Sequence, residues 1–447
     1  MIGVEHVQQN QSLKQKDKDF IWHAMKGAKP DDSIIAQKGE GAWVTDIDGR
    51  RYLDAMSGLW CVNIGYGRKE LADAAYEQLK ELPYYPLTQS HTPAIKLAEK
   101  LNEWLGGDYV IFFSNSGSEA NETAFKIARQ YHIENGDHGR YKFISRYRAY
   151  HGNSMGALAA TGQAQRKYKY EPLSQGFLHA APPDLRNPAD ADTLESAQEI
   201  DRIMTWELSE TIAGVIMEPI ITGGGILMPP EGYMAKVEDI CRRHGALLIC
   251  DEVICGFGRT GEPFGFQHYG VKPDIVTMAK GITSAYLPLS ATAVKREIFE
   301  AYSGGEPYDR FRHVNTFGGN PAACALALKN LQIMEDENLI GRSRELGEKL
   351  LQELQSLREH PAVGDVRGKG LLVGIELVKD KITKVPADAA TVQHVVAACK
   401  EKGLIVGKNG DTVAGYNNVI QLSPPFCLSE EELSFIIETV KESVLSI

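Results

Sequence analysis

Long apolar runs are missing from this chain of 447 residues: no stretch approaches the ~20 consecutive apolar residues that a membrane span requires. Residues 1–20 are polar and have no apolar centre, so no secretory leader is expected there. Basic charge is in deficit. Lys and Arg number 48 against 59 Asp and Glu, a formal net charge of −11. Such a chain offers little to a phosphate backbone, and neither a nucleic-acid nor a membrane partner is expected. Cysteine is sparse, seven residues in all, and no C-x2-C pair occurs. Cys241, His244, Cys250 and Cys255 lie near one another, but Cys250 sits inside an apolar run. Buried thiols explain that set better than zinc, so no metal site is expected. Scattered thiols in a chain of this size fit a reduced, cytoplasmic setting. Repeats and low-complexity linkers are absent too, and with 43% hydrophobic residues the chain can bury a large core.

What is present is alternation. Apolar runs at 109–114, 142–146, 212–217, 246–250, 275–279 and 289–294 predict strands apolar on both faces, as in a covered parallel sheet. Helical patterns such as 117–132 and 232–244 separate most of them, which argues an α/β architecture. Beyond about residue 330 the style changes. Residues 337–358 predict a long amphipathic helix with Leu346, Leu350, Leu351, Leu354 and Leu357 on one face. Short strands follow near 371–377 and 404–407, and a last helix opens at Ser429 with Glu432 completing a capping box. Residues 40–54 predict a hairpin with Asp48-Gly49 at its turn, placed with these C-terminal elements. The expected division is an N-terminal segment and part of a small domain over 1–59, a large domain over 60–330, and the rest of the small domain over 331–447.

Two glycine patterns fail as nucleotide loops. Gly256-Phe257-Gly258-Arg259-Thr260-Gly261 spells G-x-G-x-x-G, but Pro263 follows and no helical period opens there. Gly223-Gly224-Gly225 has no Gly-Lys-Ser/Thr after it and reads as a turn.

Three other features converge on one chemistry. Ser116-Gly117-Ser118 follows a strand and opens a helix, where small residues and free N–H groups can hold an anion. Taken alone, that stretch is explained equally well by an ordinary serine cap. Asp251 closes a buried strand at the carboxyl end, where α/β folds place ligands. Lys280 ends another apolar run, and a partly desolvated lysine can form a Schiff base. An anion cradle, an imine-forming lysine and a carboxylate for a pyridine nitrogen are together the requirements of pyridoxal 5'-phosphate.

At this point the chain resembles the class III (ω-) aminotransferases. Ser116 to Asn121 is similar to that family's phosphate loop, and Tyr150-His151-Gly152 to its ring-stacking motif. Asp251-Glu252-Val253 with Gly256–Gly261 resembles the central signature, Met278-Ala279-Lys280-Gly281 the cofactor lysine, and Thr316 in Asn315–Pro321 a threonine that reaches the neighbouring subunit's phosphate. The resemblance implies PLP fold type I: a large domain with a mostly parallel seven-stranded sheet between helices, and a smaller discontinuous α+β domain. It implies catalytic roles for Lys280, Asp251 and Tyr150. Cofactor contacts would come from Ser116, Gly117, Ser118, Tyr150, His151, Glu218, Asp251, Val253, Lys280 and Thr316. It also implies a homodimer with shared active sites, with a tetramer open.

The implied activity is ping-pong Schiff-base transfer of an amino group from an ω-amino acid or primary amine to a 2-oxo acid such as pyruvate. Leu59-Trp60 resembles the large-pocket wall of ω-amine:pyruvate transaminases, and Phe20 with the loop 85–88 would complete an apolar pocket. One departure stands out: no arginine follows Arg367, where many members grip a substrate carboxylate. Lys408, backbone groups or an arginine such as Arg166 are left for that task. Adenosylmethionine-8-amino-7-oxononanoate, 4-aminobutyrate or ornithine transamination are alternatives within the family. An NAD-dependent oxidoreductase is the alternative outside it.

Overall fold

The computed structural model describes residues 2–28, 33–183, 192–410 and 412–447. Its centre is a seven-stranded sheet in the spatial order Tyr109–Ser114, Ser290–Lys295, Ile275–Met278, Leu247–Asp251, Ile212–Met217, Lys142–Arg146 and Phe177–Ala180. Only Ser290–Lys295 runs against its neighbours; the remaining pairs are parallel. The predicted strands all appear. The edge strand Phe177–Ala180 is an addition, four residues long and half-buried, too short for its periodicity to show.

Burial explains why these segments are strands. Every residue of Ile212–Met217 and Leu247–Asp251 is buried, so each run must be apolar on both faces. Helices such as Gly117–Glu134, Glu195–Trp206 and Tyr233–His244 cover the sheet. Tyr233–His244 ends at Gly245, whose φ of +66° is the left-handed turn that lets the chain re-enter the sheet two residues later.

The two ends of the chain meet in a second sheet. Strands Ala36–Glu40, Trp43–Asp46 and Arg51–Asp54 form a meander, and Leu404–Ile405 adds in parallel to Leu53–Asp54. The predicted Asp48-Gly49 turn is there: Asp46 Oδ1 accepts from the N–H groups of Asp48 and Arg50, and Gly49 has φ +82°. A third sheet pairs Val363–Gly368, Val373–Asp380, Val419–Leu422 and Gly407–Lys408. The single strand expected at 404–407 is therefore divided between two sheets at Val406. The predicted long helix is Leu339–Leu354 followed by a tighter turn, Gln355–Glu359. Leu346, Leu350, Leu354 and Leu357 are buried as expected, with Leu351 on the rim. Ser429 and Glu432 make the capping box, and Glu432 also accepts from Trp43 Nε1 at 2.6 Å, tying the last helix to the N-terminal meander.

The segment Gly256–Gly261 is a tight turn, and no helix opens from it. Its Arg259 is fully buried and donates to Leu371 O, Pro424 O, Ser57 Oγ and Asn63 Oδ1. Its guanidinium also lies 4.7 Å from the Phe426 ring centre. One side chain thus joins three distant segments. No described helix is long and apolar enough to cross a membrane.

Close backbone approach also shapes the fold. A Cβ on Gly347, in the helix Leu339–Leu354, would lie 2.1 Å from the backbone carbon of Gly370. Gly347→Ala is therefore expected to destabilise by about 3 kcal/mol, the upper range for overpacking. Thermal unfolding should show it as a clear drop in Tm; an unchanged Tm would mean that this contact yields freely.

Candidate active site

The carboxyl ends of the parallel strands open onto a cavity of about 550 Å³. It is lined by Ser116, Gly117 and Ser118 after one strand and by Tyr150 and His151 after another, with Glu218, Asp251 and Lys280 each following or closing its own strand. Val253, Leu59, Trp60 and Lys408 border it too. Most of the expected site residues are thus gathered in one place.

Two are not. Phe20 is 82% exposed at the end of the helix Ile2–Phe20 and does not line the cavity; Met25 takes that side of it. Thr316 borders a separate cavity of about 460 Å³, whose walls include Pro86, Leu87 and Thr88. The loop 85–88 accordingly lies with Thr316 and away from Lys280.

Ser116 caps the helix Gly117–Glu134, its hydroxyl accepting from Glu119 N at 3.2 Å. The N–H groups of Gly117 and Ser118 precede any intrahelical acceptor and lie at the positive end of the helix dipole. Space here is set by glycine. A Cβ on Gly117 would come within 2.9 Å of Val253 Cγ2, and one on Gly152, where φ is +143°, within 2.5 Å of Ser118 Oγ.

Asp251 is surrounded by hydrogen-bonding groups. Asn121 Nδ2 donates to its Oδ2 at 2.9 Å, His151 Nδ1 lies 2.9 Å from the same oxygen, and Val253 N donates to Oδ1 at 3.1 Å. Glu218 is equally buried, accepting from Tyr150 N on one oxygen and from Thr222 N and Oγ1 on the other. Burial raises the Glu218 carboxyl above the usual range, and the Asp251 charge adds to this; His151 opposes both. Burial likewise raises the Tyr150 hydroxyl, against the pull of Arg166. Next to Asp251, burial pushes Glu252 up to about 8 although Gly265 N and Phe266 N donate to it.

Lys280 has a φ of +48°, and its Nζ donates to the carbonyl of Leu59 at 3.2 Å. The ammonium stands 5.9 Å from the Trp60 ring centre. Leu59 and Trp60 sit in a turn where Ser57, Gly58 and Trp60 all have positive φ.

A family model described as aminotransferase class-III matches residues 26–444. The chain belongs to the class-III aminotransferases. It is 87% identical to an uncharacterised aminotransferase, YhxA, of Bacillus subtilis strain 168, with all of both chains covered. It is 41% identical to taurine–pyruvate aminotransferase of Bilophila wadsworthia over 96% of each. A crystal structure of a Bacillus anthracis aminotransferase superimposes with a TM-score of 0.97 at 65% identity, covering 98% of this chain and 99% of that one. An amine transaminase from an uncultivated Pseudomonas species, solved in its PLP-bound form, has a TM-score of 0.91 at 37% identity, covering 96% and 98%.

Family membership makes this a PLP-dependent aminotransferase of fold type I. The cavity fits that cofactor. It offers backbone donors at a helix start that borders the cavity, a buried carboxylate held by donors, and a lysine whose Nζ contact is a neutral carbonyl.

Asn121, Gln163 and Thr277 also belong to the site's framework and were not singled out in the sequence. Asn121 is one helical turn beyond Gly117, and Thr277 is the polar residue of an otherwise apolar strand. Either signal points to a buried polar group that must find a partner.

Gly117→Ala would drive a methyl group into Val253. Cofactor affinity, measured by adding pyridoxal phosphate to apoprotein, is expected to fall about tenfold, as ~1.4 kcal/mol of crowding implies. Unchanged affinity would show that Val253 is not held against this helix start.

Proposed function

We propose that the chain moves an amino group from an ω-amino acid or primary amine to a 2-oxo acid such as pyruvate. The observation supporting this is Arg166, the one arginine among the described cavity residues. Its Nε donates to Gln163 Oε1 at 2.7 Å, and its guanidinium lies 5.1 Å from the Tyr150 ring centre. Its Nη1 meets only the weak thioether acceptor of Met25, at 3.6 Å. That leaves a planar fork suited to a carboxylate or sulfonate. Lys408 is the poorer candidate, because its ammonium donates to Gln393 on the exposed side at 3.0 Å. The taurine–pyruvate relative acts on an amino sulfonate, which agrees with an acid-gripping cation at a distance from the reacting amine.

Pyridoxal phosphate, when bound, supplies the aldehyde that takes up the amino group and a protonated ring that draws electrons from the substrate carbon. In this reading the Ser116–Ser118 helix start holds the phosphate, with Val253 and Tyr150 against the ring and His151 and Glu218 beside it. Asp251 accepts from the ring nitrogen and Lys280 Nζ moves the proton. Leu59 and Trp60 form the wall against the substrate's apolar body.

We further propose a homodimer in the cytoplasm, with residues 60–330 as the cofactor-holding unit. Tyr84, Tyr85, Ile95, Val314 and Phe317 are exposed around the cavity that holds Thr316, and such a patch suits a subunit interface. Thr316, the loop 85–88 and Phe20 would then serve the partner's site.

Lys280→Ala is expected to lower turnover about 10²–10⁴-fold, the range for losing a general acid–base, while the fold survives by circular dichroism. Arg166→Ala should raise KM for β-alanine or taurine about tenfold. The half-reaction with 1-phenylethylamine, which has no acid group, should change little. Equal effects on both donors would remove Arg166 from acid recognition. A panel of β-alanine, taurine, 4-aminobutyrate, 1-phenylethylamine, ornithine and S-adenosylmethionine against pyruvate and 2-oxoglutarate tests the whole proposal. Turnover confined to S-adenosylmethionine would overturn it.

A further inference from the structure

Behind Asp251 lies a second layer of hydrogen bonds that the reaction scheme above leaves unused. Thr277 is paired with Asp251 across adjacent parallel strands, and its main-chain oxygen accepts from Glu252 N at 2.8 Å. Its hydroxyl is fully buried and donates to Asn121 Oδ1 at 2.7 Å. The other end of that amide, Nδ2, donates to Asp251 Oδ2 at 2.9 Å and to the carbonyl of His151 at 2.6 Å. Asn121 is 1% exposed, so no solvent can replace any of these contacts.

An amide has one accepting and one donating end, and a half-turn exchanges them. Asp251 Oδ2 and His151 O are both acceptors, so only the present orientation suits them. The Thr277 hydroxyl gives its proton to Oδ1 in that orientation, whereas a reversed amide would set its oxygen against the Asp251 carboxylate and the His151 carbonyl. Without the hydroxyl, Asn121 Oδ1 becomes a buried acceptor lacking a donor, a condition relieved only by rotating or shifting the amide.

We propose that Thr277 and Asn121 are positioning residues, a hydroxyl-to-amide relay that fixes a donor on Asp251 and so sets how strongly that carboxylate holds the ring nitrogen of pyridoxal phosphate. The proposal rests on the reading of Asp251 as the partner of the ring nitrogen. The relay spans the helix that opens at the phosphate-binding residues and the two strands that end at Asp251 and just before Lys280. It therefore also fixes the carboxylate relative to the cofactor's two other anchors.

The experiment compares apoprotein affinity for pyridoxal phosphate with affinity for its 1-deaza analogue, in which the ring nitrogen is replaced by C–H. The ratio of the two reads the contact at the ring nitrogen alone and is insensitive to general loosening of the cavity. In the wild type the natural cofactor is preferred. Thr277→Val, which keeps the shape and removes the hydroxyl, should cut that preference about tenfold, the scale of a hydrogen bond to a charged group. Thr277→Ser should restore it. Asn121→Ala should match the Thr277→Val loss, which keeps the test available if the valine variant folds poorly. A wild-type preference in both Thr277→Val and Asn121→Ala overturns the relay. Asp251→Asn run beside them separates the premises: if it also leaves the preference unchanged, the role of Asp251 fails. If it alone abolishes the preference, only the relay fails.

Discussion

A carboxylate held 3% exposed at the end of a parallel strand is the constraint around which the site is built. Ionised and unpartnered, Asp251 could not persist there, because the cost of desolvating a charge runs to several kcal/mol. Its neighbours answer that cost with donors from different elements: an amide from the covering helix, a main-chain N–H from the turn that follows, and a ring nitrogen of His151 beside it. Each donor fixes its own element relative to the strand end. The parallel sheet is needed as well, since only strands running the same way deliver their following residues to a single rim.

A second constraint operates at the periphery. Arg259 is buried with no carboxylate partner among the described residues, and its Nη1 and Nη2 donate to carbonyl, hydroxyl and amide oxygens from residues 57–63, 371 and 424. Segments hundreds of residues apart in sequence are thereby held to the glycine-rich turn after Asp251. The pairing of Leu404–Ile405 with Leu53–Asp54 does the same through main-chain bonds. The wall formed by Leu59 and Trp60 is consequently shaped as much by the C-terminal part of the chain as by the sheet beneath it.

The sequence revealed most where burial is two-sided or where several residue types must coincide. Ile212–Met217 could hardly be anything but a central strand, and Lys280, Asp251 and Ser116–Ser118 together suit few cofactors. Other features left a weaker trace. Phe177–Ala180 is too short to display a period. The run 404–407 is apolar enough for a strand, but nothing in its pattern tells that Ile405 and Gly407 pair with different sheets. Lys408 was a reasonable cation for an acid group on position alone, yet its long stem lets the ammonium turn outward to Gln393. Asn121 stands inside a recognised stretch, but the hydroxyl that donates to it comes from a strand 156 residues away.

The contact between Lys280 and Leu59 has a consequence for how the lysine is positioned. Its Nζ donates to the carbonyl of Leu59, a neutral dipole, so redirecting it separates no ion pair and gives up about 1.5–3 kcal/mol, the range for a hydrogen bond to a charged group. That carbonyl belongs to the same strained turn whose side chains wall the cavity. The peptide unit between Leu59 and Trp60 thus both accepts from the lysine and joins two residues that line the cavity.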